Sequence, residues 1–147
     1  MSAIQPAAVD VAMVPWLICA DGEAELCPVR LQYDPDDPWA VTLWFGTREA
    51  YTGDPVMWAF ARELLAGGLH EVTGIGDVRV WPWVTPGAEH VAVSLSSPDG
   101  TVVLKFERRW LLGFLYRTNV LVPPGEERMD LDAMEDNLLR RRRELPC

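Results

Sequence analysis

The stretch of residues 54–82 constrains the fold most, because it holds a capped apolar segment, a glycine pair and a strand pattern with no spacer between them. Asp54 has the side-chain oxygen that favours a helix N-cap, and Pro55 follows where a missing N–H costs nothing. Gly67 and Gly68 would supply a left-handed stop at the other end. Since the residues between are apolar around most of a helix, the stretch predicts a buried helix followed by a strand.

Alternating apolar and polar residues predict strands on both sides of this helix. They cover residues 9–20, 29–33 and 39–45 before it, and residues 77–84, 89–96 and 102–106 after it. Between the last two, Ser-Pro-Asp-Gly predicts a hairpin turn. Helical periodicity predicts further helices at residues 108–118 and 132–145. The predicted fold class is α+β, with two antiparallel β-sheets from a β-β-β-α order repeated twice, packed helices and a C-terminal helix.

The acidic composition excludes one class of partner. The chain has 147 residues, the length of one domain, and we predict a flexible N-terminus at residues 1–8 and a single domain at residues 9–147. The net charge is −9, with 13 basic and 22 acidic residues. Because nucleic-acid affinity depends on neutralising phosphates with Lys and Arg, we expect no DNA or RNA binding.

The cysteines and the N-terminus bear on the compartment. The three cysteines have neither a disulfide-framework count nor metal-ligand spacing, which predicts thiols in a reducing environment. No Lys or Arg precedes Arg30, and a signal peptide begins with basic residues. No apolar run approaches the roughly 20 residues of a membrane-spanning helix. We therefore expect a cytoplasmic protein.

No pattern predicts catalysis, a metal site or a cofactor. The Gly74-Ile75-Gly76 loop precedes a strand, whereas a phosphate-binding loop follows a strand and opens a helix. The aspartates of residues 34–37 lack the glycine and glutamate of an EF-hand loop. His70 and His90 have no metal-ligand spacing. We expect a tight loop, a solvated turn and ordinary histidines here, and no catalytic, cofactor-binding or metal-binding residue.

The tryptophans indicate a protein-binding surface. Trp81 and Trp83 share one predicted strand and are the candidates for an exposed platform. We expect four others in the core: Trp16, Trp39, Trp58 and Trp110. A basic block either stabilises a helix C-terminus or attracts an acidic partner or membrane; it consists of Arg140, Arg141, Arg142 and Arg143. The alternative function is small-molecule binding or catalysis in a tryptophan-lined cleft, with Glu23 and Glu25 as paired carboxylates.

Six blocks of sequence follow one another in the order and spacing of a known family. They are Tyr33-Asp34 with residues 37–41, residues 58–65 with Gly68-Leu69, Gly74 with residues 76–82, residues 95–100, Phe114-Leu115 with Arg117-Thr118, and residues 122–126. On these blocks the chain resembles the SsgA-like family of actinomycete sporulation and cell-division proteins, with the SsgB type as the suggested member.

The resemblance implies a function that the residues alone do not give. It implies a non-enzymatic adaptor that promotes septum-site selection and septum assembly during sporulation, by binding FtsZ and other division or cell-wall-remodelling proteins. It also implies a whirly-like fold, a homotrimer, and a cytoplasmic protein concentrated at the septum. Membrane contact is expected only through partners or the arginine block. The fold analogy carries no DNA binding with it.

Overall fold

The computed structural model describes residues 9–45, 56–128 and 145–146, and the chain there forms nine strands and two helices. In chain order they are β1 Val9–Met13, β2 Trp16–Ile18, β3 Ala24–Leu26, β4 Val29–Tyr33, β5 Ala40–Phe45, β6 Met57–Ala61, α1 Arg62–Gly68, β7 Val78–Thr85, β8 Ala88–Ser97, β9 Gly100–Glu107 and α2 Arg108–Leu121. The strands form two antiparallel sheets, in the orders β1-β4-β5-β6 and β3-β2-β9-β8-β7. The predicted α+β class with two antiparallel sheets is confirmed.

The β-β-β-α order does occur twice, as β4-β5-β6-α1 and as β7-β8-β9-α2. The predicted hairpin is present, since β8 and β9 pair from Ser97 and Gly100 outward. Two predictions fall outside the described residues: the flexible N-terminus and, up to residue 144, the C-terminal helix. The extent of the domain therefore stays a prediction.

The predicted helix from Asp54 is wrong over residues 57–61, which form the edge strand β6. In β6, Trp58 pairs with Leu43 and Phe60 with Val41, so the two aromatic side chains share the core face of the sheet. Met57 and Ala59, on the other face, are also buried. A short apolar run that is buried on both faces has no alternation, so its pattern resembles that of a buried helix.

The glycine pair at the end of α1 serves packing, and the prediction of a left-handed stop is wrong. Five of the glycines that the structure describes have positive φ, and Gly67 and Gly68 are not among them. Instead, a Cβ at Gly68 would lie 2.1 Å from Cγ1 of Val80 and 2.9 Å from its carbonyl carbon. Gly68 is therefore the point at which helix α1 lies directly on strand β7.

Residues 9–20, predicted as one strand, form two strands in different sheets. The break falls at Val14 and Pro15, where proline has no N–H for a ladder. The Pro15 carbonyl instead accepts a hydrogen bond from the Cys27 N–H at 2.9 Å. The chain thus crosses from the four-stranded to the five-stranded sheet here, and β2 and β3 extend the second sheet beyond β9.

One hydrophobic core joins both sheets and both helices. Trp58 is fully buried and Trp110 packs partly buried against the core, as predicted. Trp16 and Trp39 are each 45% exposed, so their prediction as core residues is wrong. Among the described residues, neither helix has the length and apolar character that a bilayer crossing requires.

Candidate interaction surface

Trp81 and Trp83 lie on the outer face of the five-stranded sheet, turned away from the core. Side chains alternate along a strand, so Val80, which precedes Trp81, points to the opposite face and is fully buried in the core. Both tryptophans are half-buried. The predicted alternation along this strand is therefore confirmed, and it places the two indole rings on one surface.

Besides the fully buried Ala92, the pairing register places three further side chains on the same face as these tryptophans. Trp81 pairs with Ala92, Ala92 with Lys105, Lys105 with Trp16, and Trp16 with Leu26. Directly paired residues in an antiparallel sheet point to the same face. We call this surface the aromatic face; its residues are Trp16, Leu26, Trp81, Trp83 and Lys105.

Lys105 supplies the positive charge of the aromatic face. It is the one lysine of the chain. Its Nζ lies 4.7 Å from the centroid of the Trp83 ring, within the range of a cation–π interaction. The ammonium group is thus held against an indole ring on the surface of an otherwise acidic protein.

The aromatic face is apolar where a solvated sheet would be polar. An antiparallel sheet with one wet face normally alternates between buried apolar and exposed polar residues. Here the large apolar side chains of Trp16 and Leu26 are exposed on the outer face of the sheet. Leu17, the next residue after Trp16, points to the other face and is buried in the core. Contiguous exposed apolar surface with a polar rim is typical of protein-binding sites.

The other candidate residues are either outside the described ranges or on other parts of the surface. The arginine block, Arg140 to Arg143, lies outside the described residues. Glu23 and Glu25 are exposed near the edge strand β3. Two shallow clefts lie among the described residues, and neither contains a tryptophan, Glu23 or Glu25. The first is lined by residues 87–90, 107–109 and Leu112, and the second by residues 59–61, Leu64 and residues 74–78.

Polar clusters considered from the sequence also have structural explanations. Asp34 Oδ1 accepts a hydrogen bond from the Asp36 N–H at 2.9 Å, which is the geometry of a local turn. His70 is exposed, and His90 is half-buried, paired across strands with Trp83. Within the part of the chain that the structure describes, no cluster of three or more His, Cys, Asp or Glu side chains could hold a metal ion.

The cysteines do not supply a reactive thiolate in the described region. Burial, with a smaller contribution from the Glu25 carboxylate, raises the pKa of Cys27 to about 11. Since the thiolate is the nucleophilic form, Cys27 is a poor nucleophile at neutral pH. Cys19 is disulfide-bonded, so the prediction of free thiols is wrong at that position.

Comparison with known proteins gives the family. Residues 27–127 match the family described as "Streptomyces sporulation and cell division protein, SsgA". The chain belongs to the SsgA family. A relative from Salinispora tropica, named sporulation-specific cell division protein SsgB, is 46% identical over 141 residues, covering 95% of this chain and 98% of its own. The protein of the same name from Streptomyces coelicolor is 49% identical to this chain over 109 residues, which cover 74% of this chain and 77% of that protein.

Solved structures agree with this assignment. The crystal structure of an SsgA-like sporulation-specific cell division protein from Thermobifida fusca superposes with a TM-score of 0.71 at 35% identity, over 94% of this chain and 99% of that one. An SsgB structure from a study of longitudinal cell division in Streptomyces coelicolor superposes with a TM-score of 0.68 at 41% identity. The superposition covers 81% of this chain and 93% of that one. The expected SsgA-like family and SsgB type are both confirmed.

The SsgA-family match divides the aromatic face unevenly. Trp81, Trp83 and Lys105 lie inside the matched residues 27–127, whereas Trp16 and Leu26 precede them. The sequence interpretation missed Trp16 and Lys105 as surface partners, because the pairing of β2 with β9 joins residues far apart in the chain. The sequence signal for the pairing of β2 with β9 is Pro15. A proline there ends the first strand, so the residues after it can form a separate strand in the other sheet.

Proposed function

We propose that this SsgA-family protein is a non-enzymatic adaptor of sporulation septation, and that it binds FtsZ through its aromatic face. Its relatives carry the name of sporulation-specific cell division proteins, which supports the role in septation. The observation that carries the binding proposal is the row of exposed and half-buried Trp16, Trp81 and Trp83 around Lys105. Tryptophan is among the residues that most often dominate binding energy in protein interfaces.

The aromatic face favours a partner surface with apolar groups and some negative charge. Its tryptophans offer large rigid area, and Lys105 with the neighbouring Arg79 offers positive charge. Nucleic acid is a poor occupant, since the chain as a whole carries −9 and would repel a phosphate backbone. We therefore place FtsZ, other divisome proteins and cell-wall-remodelling proteins among its partners. Any membrane contact would run through those partners or through the arginine block.

Co-sedimentation with polymerised FtsZ from the same organism tests the proposal. We expect the protein to pellet with polymer, and to stay in the supernatant without it, at low and moderate salt. Trp16→Ala and Trp83→Ala should each weaken binding about tenfold or more, because truncating a central interface tryptophan costs at least the 1.4 kcal/mol of a tenfold change. The matched control is Trp39→Ala, which removes a tryptophan with the same 45% exposure as Trp16 from the turn that precedes β5.

Two results would contradict this assignment. A wild-type protein that stays in the supernatant with FtsZ polymer at both salts refutes direct FtsZ binding. If the wild type pellets with FtsZ polymer, and Trp16→Ala and Trp83→Ala bind the polymer as tightly as Trp39→Ala does, the aromatic face is not the contact surface. Thermal melts of the three variants separate a loss of binding from a loss of folding.

We further propose that the protein assembles as a homotrimer in the cytoplasm and is concentrated at the division septum, as the family resemblance implies. The expected particle mass in light scattering is three times the 16.5 kDa of one chain. A mass of one or two chains across micromolar concentrations would refute the trimer. The FtsZ experiment does not depend on this result, since a monomer would also pellet with its partner.

A further inference from the structure

Helix α2 carries a second apolar surface that faces solvent. Its buried side consists of Leu111, Phe114, Leu115 and Thr118. On the opposite side Leu112, Tyr116 and Val120 are 40%, 71% and 66% exposed, at a spacing of four residues. We call these three residues the α2 stripe; it runs for about 12 Å along the helix. A helix that is apolar on both sides is normally buried on both sides.

The charge of α2 is opposite to that of the rest of the protein. The helix contains Arg108, Arg109 and Arg117 and no acidic residue, so it carries +3 in a chain of −9. Arg109 and Arg117 are exposed beside the α2 stripe. Arg117 makes no ion pair or hydrogen bond with any residue in the described ranges, whereas Arg109 donates to Glu107 at 2.9 Å.

These arginines are not placed to stabilise the helix. Arg108 and Arg109 stand in the first turn, where the helix dipole is positive and favours acidic residues. Positive charge there opposes the dipole. Glu107, the residue before the helix, pairs with Arg109, whereas the positions of Arg108 and Arg117 are explained if their positive charge meets negative charge from another molecule.

The surface beside the α2 stripe is open. A Cβ added at Gly113 would meet no atom within 4 Å, so no residue of the described ranges fills the space directly beside that position. At the N-terminal end of the α2 stripe, Leu112, Arg108 and Arg109 border a cleft that also contains Glu107 and residues 87–90, so the positive charge there is partly balanced, and Arg117 lies at the other end. The notch at Gly113 lets a second helix approach the α2 backbone closely, as packing of ridges into grooves requires.

We propose that the α2 stripe binds an acidic amphipathic helix of a partner protein. The spacing of Leu112, Tyr116 and Val120 forms one ridge that suits a facing helix, and the arginines at its side require acidic residues on that helix. A second copy of α2 is excluded as the occupant, because it would place arginines against arginines. An anionic membrane is disfavoured, because the remainder of the chain carries −12 and would be drawn within the Debye length of the headgroups.

This surface is separate from the aromatic face, and its occupancy does not depend on FtsZ binding. The aromatic face is formed by strands β2, β3, β7 and β9, while the α2 stripe belongs to a helix packed on β1, β8 and β9. An adaptor that joins two partners needs two such surfaces.

Selection from a display library of random 16-residue peptides, with the full chain as bait, tests the proposal. We expect enriched peptides to be acidic, with apolar residues three and four apart, and their affinity to fall as salt rises. In fluorescence anisotropy, Tyr116→Glu and Arg117→Glu should each weaken binding of the enriched peptides at least about tenfold. The matched control is Val72→Glu, an equivalent change at a residue 61% exposed on another surface, which should leave binding unchanged.

Three outcomes would overturn the proposal. The first is a selection without enrichment of acidic amphipathic peptides. The second is enriched peptides that bind Tyr116→Glu and Arg117→Glu as tightly as they bind the wild type. The third is binding of the wild type to vesicles of phosphatidylglycerol and phosphatidylcholine that Arg117→Glu abolishes, which would assign the α2 stripe to a membrane. Circular dichroism melts of each variant check that the fold is retained.

Discussion

Arg62→Ala is expected to lower the free energy of unfolding by about 3–5 kcal/mol, the cost of removing one partner from a buried charged network. Arg62 is buried at the start of α1, and its guanidinium reaches across to the end of α2. Nη1 donates to the Val122 carbonyl at 2.8 Å and to the Thr118 carbonyl at 3.3 Å. Nη2 lies 3.5 Å from Oε2 of Glu127.

The effect is large because several groups lose their partner together. The last carbonyls of a helix have no partner within the helix, and α2 has no basic residue in its own last turn. Arg62 supplies that cation from another element. Its guanidinium also lies 4.9 Å from the ring centroid of Tyr33, whose hydroxyl donates to the Pro38 carbonyl at 3.0 Å. Without Arg62 the half-buried Val122 carbonyl would lose this donor, while the Thr118 carbonyl would keep only the Val122 N–H at 2.9 Å.

Glu127 is held in its charged form at this junction. Its own backbone N–H, followed by that of Gly125 and by Arg62, lowers the pKa of the Glu127 carboxyl. The carboxylate is therefore available to the guanidinium at neutral pH. Removal of Arg62 would leave this negative charge beside the end of α2, where the helix dipole is also negative.

Urea unfolding followed by tryptophan fluorescence would measure the loss. The matched control is Arg30→Ala, since Arg30 and Asp10 form an ion pair of 2.8 Å whose side chains are 46% and 30% exposed. We expect that change to cost under about 1 kcal/mol. Arg62→Lys should fall between them, because lysine keeps the charge but not the planar set of donors. Equal losses for Arg62→Ala and Arg30→Ala would show that the network does not hold the helices together.

Local signals predicted much of the fold. The alternation of β4 was predicted with its observed bounds, and the Ser97 to Gly100 turn places the last hairpin correctly. The errors fall where tertiary contacts decide. The segment Met57–Ala61 is apolar on both faces, so only its pairing with β5 distinguishes a strand from a buried helix.

The candidate surface was predictable in part for the same reason. Trp81 and Trp83 lie two residues apart on one strand, and a two-residue period alone places them on one face. Trp16 reaches that face only because β2 pairs with β9, and sequence alternation does not identify the partner of a strand. The helical period of Leu111, Phe114 and Leu115 does indicate the buried side of α2, but it does not show that the apolar residues on the other side meet solvent.

Gly68→Ala and Gly113→Ala are expected to change stability in opposite directions, although both place the same methyl group on a helix. At Gly68 the new Cβ would lie 2.4 Å from the Cβ and 2.9 Å from the carbonyl carbon of Val80, so the β7 backbone must move. We expect a loss of about 3 kcal/mol, the upper end of the usual cost of overpacking. At Gly113 the Cβ would meet nothing within 4 Å, and alanine should raise stability by up to about 1 kcal/mol through helix propensity.

Urea midpoints of the two variants, compared with the wild type at one pH, measure both effects. The pair separates packing from propensity, because propensity alone would favour alanine at both positions. If Gly68→Ala were as stable as the wild type, helix α1 would not lie against Val80, and the two sheets would lose the contact that joins β6, through α1, to β7. If Gly113→Ala were destabilised as strongly as Gly68→Ala, the side of α2 at Gly113 would be covered in solution, and the open face of that helix would already have an occupant.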